Sequence, residues 1–419
     1  TENGINIIPN EEMPPKGTLG FRVQQYGMEN WGAIYSLRQK ILLSTLTRLI
    51  NKIYTNYPKS ENTKINAIIS LLACALDREA EHSSSICRWN SNGEKMQASF
   101  GRQAIPMVWD FCEANPFGTS VGSWETMIDL VLIPFETVLS VKNIGEVTKS
   151  SATKLKCSDD TCHLFFTDPP YYDAIPYADL SDFFYVWQKR IFQNSNPELV
   201  KELLSPKEEE CIVDPSRGKN KAHFEKTMEK ALFEGRRIVI PSGLGVIVFA
   251  HKSTSGWESQ IQALINAGWI TTASWPIDTE MGTRLRAQNS AALASSIHLV
   301  CRPRENPDGS LHEEIGDWRE VLQELPGRIH DWMPRLAAEG VVGADAIFAC
   351  LGPALEIFSR YSSVEKPNGE IVSLREYLEH VWAAVAKEAL SMIFTGADTS
   401  GFEEDARLTA MWLWTLSTG

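Results

Sequence analysis

The sequence is poor in the features that would place it in several common classes. None of its eight cysteines, at positions 74, 87, 112, 157, 162, 211, 301 and 350, stands in a CxxC pair. Cys157 and Cys162 come closest, and they lack a second pair at zinc-ribbon spacing. No metal site is therefore expected, and the thiols read as buried or reduced in a cytoplasmic protein. A signal-peptide pattern is missing, as is any apolar run of about 18 residues, so no membrane span is expected. An excess of basic residues is missing too. The formal net charge is -13 and the pI about 5.2. That excludes a body coated in positive charge but leaves room for a local basic groove on an acidic one. There is no internal repeat and no low-complexity tract. The chain opens on Thr1 rather than methionine, which suggests a piece of something longer.

Apolar and aromatic residues are plentiful. The hydrophobic fraction is 43%, with thirteen tryptophans, and 419 residues suffice for two or three domains with a sizeable core. The opening third reads as mostly helical. Leu37, Ile41, Leu42, Thr45, Leu49 and Ile53 recur at helical spacing between Ser36 and Ile53. Further helices are expected over Thr63–Glu79, over Ala104–Glu113 and around Thr126–Val141, the last kinked or broken at Pro134.

The middle changes character. "HLFFTD" (His163–Asp168) reads as a short buried strand, followed by an aromatic-rich helix over Leu180–Phe192 and a second helix over Lys219–Glu234. "GLGVIVFAHK" (Gly243–Lys252) is a buried strand. Trp257–Ala267 is a helix stopped by Gly268, and Trp269–Ile277 and Ser295–Pro303 are two more strands. Strand alternating with helix predicts a parallel sheet covered by helices. The final two strands are joined by a loop with little helical pattern, which suits an antiparallel pair. From Trp318 onward the pattern is helical again. The expected fold class is α/β. It has three consecutive regions: mostly helical over 1–149, a half-sheet over 150–305, helical over 306–419.

One stretch carries chemistry. "FFTDPPYYDAIPYADLSDFF" (Phe165–Phe184) ends an apolar strand on Asp168, Pro169 and Pro170, with Tyr171 and Tyr172 directly behind. Ligands of open α/β sheets bind just beyond the carboxyl ends of strands. Prolines have no N–H to donate, and an ionised Asp only accepts. The corner therefore suits a group with two hydrogens to give, such as an exocyclic amine. Drawing both hydrogens of an arylamine into acceptors frees its lone pair for attack. The tyrosines offer faces for a planar base, worth roughly 1–3 kcal/mol per stacked base. A base within a duplex would first have to be flipped out.

D-P-P-Y after an apolar strand resembles the catalytic motif of amino-methyltransferases that use S-adenosylmethionine. The longer segments "TDPPYYDAIPYADLSDFFYVW", "GTLGFRVQQYGMENWG", "GRQAIPMVWDFCEANPF", "MGTRLRAQNSAALASSIHLV" and "GFEEDARLTAMWLWTL" look like the large adenine-specific DNA methylase family. That family carries an N-terminal domain of unknown function and zinc-ribbon elements. The resemblance spans nearly the whole chain but only the family's C-terminal portion. It implies a partial Rossmann-like methyltransferase sheet with S-adenosylmethionine as cofactor and DNA as partner. It further implies that Asp168, Pro169, Pro170 and Tyr171 are the catalytic motif, with Asp168 and the Pro169 carbonyl holding the amine and Tyr171 stacking on the base. Tyr172 and Tyr177 are the expected remainder of the target-base pocket. The glycine-rich cofactor loop and zinc-ribbon cysteines would lie upstream, in a missing N-terminal half. By analogy the setting is restriction-modification or phage defence, with defence-system subunits as further partners.

The remaining candidates are secondary. "NPFGTSVGSW" (Asn115–Trp124) partly matches a cofactor loop, making Asn115 and Phe117 candidate cofactor contacts, with His251 at a strand end as a third. Arg284 and Arg286 in "TRLRAQNS" and Lys219 and Lys221 in "DPSRGKNKAHFEK" are candidate DNA phosphate contacts. Each has an ordinary alternative, a solvated loop. Two other functions stay open: methylation of a cytosine 4-amino group or an RNA base, and a DNA-binding or scaffold fragment inactive without its cofactor half.

Overall fold

The computed structural model describes residues 5–393 except 102, 139, 144, 171, 173–174, 250–253, 279–294, 307–309, 342–345 and 347. It is a mixed α/β structure. Three small sheets and nine α-helices lie among the described residues, and no sheet closes into a barrel. None of those helices is long and apolar enough to cross a membrane. The chain forms two compact units, which do not follow the three consecutive regions expected. The first comprises Thr1–Val147 and Asp173–Glu210, and the second Thr148–Tyr172 and Cys211–Gly419.

The first unit is helical apart from a small hairpin of β1 (Arg88–Asn90) and β2 (Lys95–Gln97). Its helices are α1 (Leu37–Asn56), α2 (Asn62–His82), α3 (Trp124–Val138) and α4 (Tyr177–Ser195). Ser36 and Gln39 form a capping box that starts α1. The face α1 buries is not the expected one. Gln39, Leu43, Ser44, Thr47, Ile50 and Asn51 turn inward, while Leu37 is 73% exposed and Ile41 59%. The inward polar groups have partners: Thr47 donates to the Leu43 carbonyl at 2.8 Å and Asn51 to the Arg190 carbonyl at 2.9 Å. No helix forms over Ala104–Glu113, where Pro106 interrupts the chain, whereas α3 runs through Pro134. The core gathers Trp31, Leu43, Ile69, Leu76, Phe183 and Trp187. Within it Arg190 meets Glu11 through two bonds of 3.0 and 2.9 Å.

The second unit holds the four-stranded sheet, with β3 (Cys162–Thr167), β4 (Val239–Phe249), β5 (Trp269–Asp278) and β6 (Ser295–Pro303) in the order β3-β4-β6-β5. β3 runs parallel to β4, and β6 lies antiparallel between β4 and β5. The last pair is thus antiparallel, as the lack of helical pattern in the joining loop suggested. β3 is not the buried strand expected. It is an edge strand among the described residues, with Leu164 54% and Phe166 58% exposed. Phe165 faces the other way, stacked against Trp269 at 6.2 Å.

Helices α5 (Lys221–Ile238) and α6 (Thr254–Asn266) cover the sheet. Glycines permit the close approach. A Cβ on Gly235 of α5 would lie 2.5 Å from the Phe165 ring, and one on Gly245 of β4 would lie 2.7 Å from Trp269. The Trp269 indole N–H donates to the Leu232 carbonyl at 2.9 Å. The C-terminal helices α7 (Trp318–Ala338), α8 (Leu351–Ser359) and α9 (Leu374–Ile393) share this core rather than forming a region of their own. A two-stranded parallel sheet of β7 (Ile315–Asp317) and β8 (Ser363–Glu365) completes the unit.

Candidate functional site

β3 leads directly into the Asp-Pro-Pro corner. Its parallel register with β4 runs to the pair Thr167–Ile247, so the chain leaves the sheet at the carboxyl end with Asp168 as the first residue outside. Asp168 is exposed, Pro169 buried and Pro170 half-buried. The buried Pro169 anchors the corner, and the two prolines supply no donor to compete for the carboxylate. Tyr171 lies outside the described residues.

Tyr172 has a positive φ of 49°. That left-handed conformation costs a non-glycine residue roughly 1–2 kcal/mol. The structure around it holds it there. The Tyr172 N–H donates to the Pro170 carbonyl at 3.2 Å, and its own carbonyl accepts the Val213 N–H at 3.0 Å. Its ring packs edge-on against Phe224 of α5, with centroids 5.1 Å apart. Tyr172 is therefore a strut that fixes the turn. Backbone strain of this kind gathers at functional sites.

Val213 ties the corner to a second feature. Asp214 and Lys219 exchange backbone hydrogen bonds of 2.9 Å, closing a tight loop. Inside it the Asp214 carboxylate accepts from the Ser216 N–H at 3.0 Å and from Arg217 at 2.8 Å. These donors hold the Asp214 carboxyl below its ordinary range against the opposing effect of burial. Gly218 takes a φ of +71° to turn the chain. Asn220 then caps α5. The expected open basic loop is instead a closed turn in which Lys219 is only 6% exposed. Lys219 thus does not present an open phosphate-binding surface. Lys221 is exposed and sits 3.5 Å from Glu225.

The other expected residues are distributed as follows. Tyr177 is the first residue of α4 in the first unit, 39% exposed. The next residue donates its N–H to Glu210 at 2.7 Å, which fixes the start of that helix. Asn115 and Phe117 also belong to the first unit, in a loop that follows no strand. The Asn115 side chain accepts the Phe117 N–H at 3.1 Å, and the Phe117 ring is 90% exposed. A cofactor cradle needs a strand end and a walled recess. Among the described residues no strand leads directly into this loop, and no cofactor contact is assigned to either residue. His251, Arg284 and Arg286 lie outside the described residues.

Sequence reasoning missed the loop that braces Tyr172. Its signal was nevertheless present: Asp-Pro-Ser-x-Gly is turn text, with Asp as cap and Gly in the left-handed position. What the letters could not show was that Val213 bonds back to Tyr172. No protein-family model matches the chain, and neither a curated protein nor a solved structure matches it.

Proposed function

We propose that this chain carries the amine-gripping corner of a DNA methyltransferase that modifies the 6-amino group of adenine. One observation carries the reading: Asp168 and two prolines that have no N–H to donate form a corner at the carboxyl end of a sheet strand, braced by a strained Tyr172. Because the Pro170 carbonyl already accepts from Tyr172, the Pro169 carbonyl is the backbone acceptor assigned to the amine. Asp168 is the second acceptor. Together they hold both N–H bonds and turn the nitrogen lone pair outward, and the proton leaves late. Tyr171 is assigned to stacking on the flipped base.

The strand order gives further support. A last strand inserted antiparallel between two that run the other way is consistent with the second half of a methyltransferase-type, Rossmann-like sheet. S-adenosylmethionine remains the methyl donor of this reading, with no residue around Asn115 or Phe117 assigned to it. Modification tied to restriction or phage defence is the setting that the family resemblance suggests.

In the methylating protein, Asp168→Ala is expected to lower the rate of tritium transfer from labelled S-adenosylmethionine to adenine-containing DNA by about 10²–10³-fold, the size seen when one polar group at a reacting centre is removed. Circular dichroism should show the variant folded. Undiminished transfer by the folded variant would falsify the assignment.

A further inference from the structure

Among the described residues the four-stranded sheet ends on β3 at one side and on β5 at the other, and the two edges are finished differently. β5 is protected. The Thr271 N–H donates to Ser359 Oγ of α8 at 3.1 Å, and Gly352 of α8 lies against the Ala273 and Ser274 backbone. The strand slips register between Thr271 and Ala273, and Pro276 removes one donor from its backbone. A covering helix, a bulge and a proline are devices that keep a sheet edge from pairing further.

β3 has none of them. Its six residues, CHLFFT, include no Asp, Glu, Lys, Arg or Pro. Among the described residues no strand pairs with it on the side away from β4. Leu164 and Phe166 are more than half exposed on one face, and His163 is exposed on the other. The register with β4 is regular from Leu164 to Thr167, so this stretch turns an even row of N–H and C=O groups outward. Such an edge is a template for another strand.

A two-fold axis sets β3 antiparallel to β3 of a second copy, and charge selects the register. Centred on Leu164, the pair would bring Asp160 against Asp168 of the second copy, like charges directly opposite. Centred on Phe166, it would draw Pro169 into the ladder, where it has no N–H to give. Centred on Phe165, Leu164 of each copy faces Phe166 of the other, His163 faces Thr167, and Cys162 faces Asp168. No like charges meet, and the apolar pair on the open face is its own complement.

We propose that β3 pairs with β3 of a second copy in this last register, joining two four-stranded sheets into one. Because β5 is protected, assembly stops at the dimer. The inference does not rest on the methyltransferase reading. The contact is smaller than the roughly 800 Å² per partner of a standard interface. The dimer is accordingly weak, half-formed at about 10–100 μM.

Sedimentation velocity of the full chain from about 1 to 200 μM spans that range. A reversible shift from monomer to dimer is expected. Leu164→Lys puts a charge on the pairing edge and should weaken the dimer about tenfold or more, as should Phe166→Glu. Mixed together, these two variants should associate again, because the two positions face each other and the introduced charges are opposite. Ile277→Lys lies on the same sheet face but on β5 and should leave dimerisation unchanged. Circular dichroism checks that each variant is folded. A chain that stays monomeric over the whole range overturns the proposal, as does a dimer indifferent to Leu164→Lys and Phe166→Glu. Equal weakening by Ile277→Lys overturns it too, since that marks sheets packed face to face. Failure of the folded pair to recover on mixing refutes the register. Should one of the two edge variants fail to fold, the other decides.

Discussion

Glu79 is fully buried, with Oε1 accepting the Ser83 hydroxyl at 2.8 Å and Oε2 without a partner among the described residues. Burial pushes its carboxyl up to about 7, with the Ser83 bond opposing. The folded chain therefore binds this proton more tightly than the unfolded chain, whose value is 4.5. The contribution to stability is fully present below the unfolded value and is lost as pH rises through about 7. Between about pH 5 and pH 8 the loss is on the order of 1–3 kcal/mol. Glu79→Gln should flatten this dependence and raise the melting temperature at the alkaline end. A variant that melts in parallel with the parent at every pH would exclude Glu79 as the source. Arg190 and Glu11 make the opposite case. Both are buried, at 1% and 5% side-chain exposure, and their charges pair, while the guanidinium also donates to the Asn6, Ile8 and Val186 carbonyls. Glu11→Ala leaves the buried guanidinium without its counter-charge, and a loss of about 3–5 kcal/mol is expected in chemical denaturation. The corner at Asp168 was legible at this scale because acid, proline and tyrosine state their hydrogen-bonding chemistry outright. The strain at Tyr172 was not legible, since it depends on Val213 and Phe224, far along the chain.

Elements were legible as far as period allows. β5, β6 and the helical stops followed from alternation and from glycine, and the antiparallel closing pair from its loop. Burial did not follow. α1 has apolar residues on two faces, and periodicity alone cannot choose between them. The core chose the face of Leu43 and Ile50. β3 reads as an apolar run, yet only Phe165 packs inward at its centre while Leu164 and Phe166 stay exposed. Phe165→Ala is therefore expected to cost about 3–5 kcal/mol, the range for truncating a packed aromatic. Phe166→Ala should cost under about 1 kcal/mol, as for an exposed side chain. Equal costs in urea melts would contradict the edge assignment. The seat of α8 on β5 is equally specific. Gly352 donates its N–H to Ser274 Oγ at 2.8 Å, and a Cβ there would come within 2.2 Å of the Ala273 and Ser274 backbone. Gly352→Ala should destabilise by about 1–3 kcal/mol, the cost of overpacking, readable as a lowered melting temperature.

At the scale of the whole chain, there are two cores, drawn from interleaved segments of the sequence. One is built around Trp31 and Trp187, the other around Trp257, Trp269 and Trp318. The segment Asp173–Glu210 leaves the second unit just after the Asp-Pro-Pro corner and returns at Cys211. Separate cores unfold as separate cooperative units unless coupled, so Glu11→Ala should shift the transition reported by the first core and leave the second in place. A single transition moving as one would refute independent cores. A second expectation concerns the cofactor. S-adenosylmethionine titrated into this chain should show no micromolar binding, and a tight saturable heat would show that a cofactor site exists elsewhere in it.

By itself the sequence determined the α/β class, most strand and helix positions and the composition of the Asp168 corner. These depend on local period and on the donor and acceptor inventory of single residues, which neighbours cannot change. Tertiary structure alone decided which face of α1 is buried, that β3 is an edge, that the C-terminal helices share the sheet's core, and that Lys219 is turned inward. It also set Asp77 of α2 beside Gln188 of α4, residues 111 positions apart. Such pairings arise from packing between distant segments, where burial and unpaired polar atoms are properties of the assembled chain.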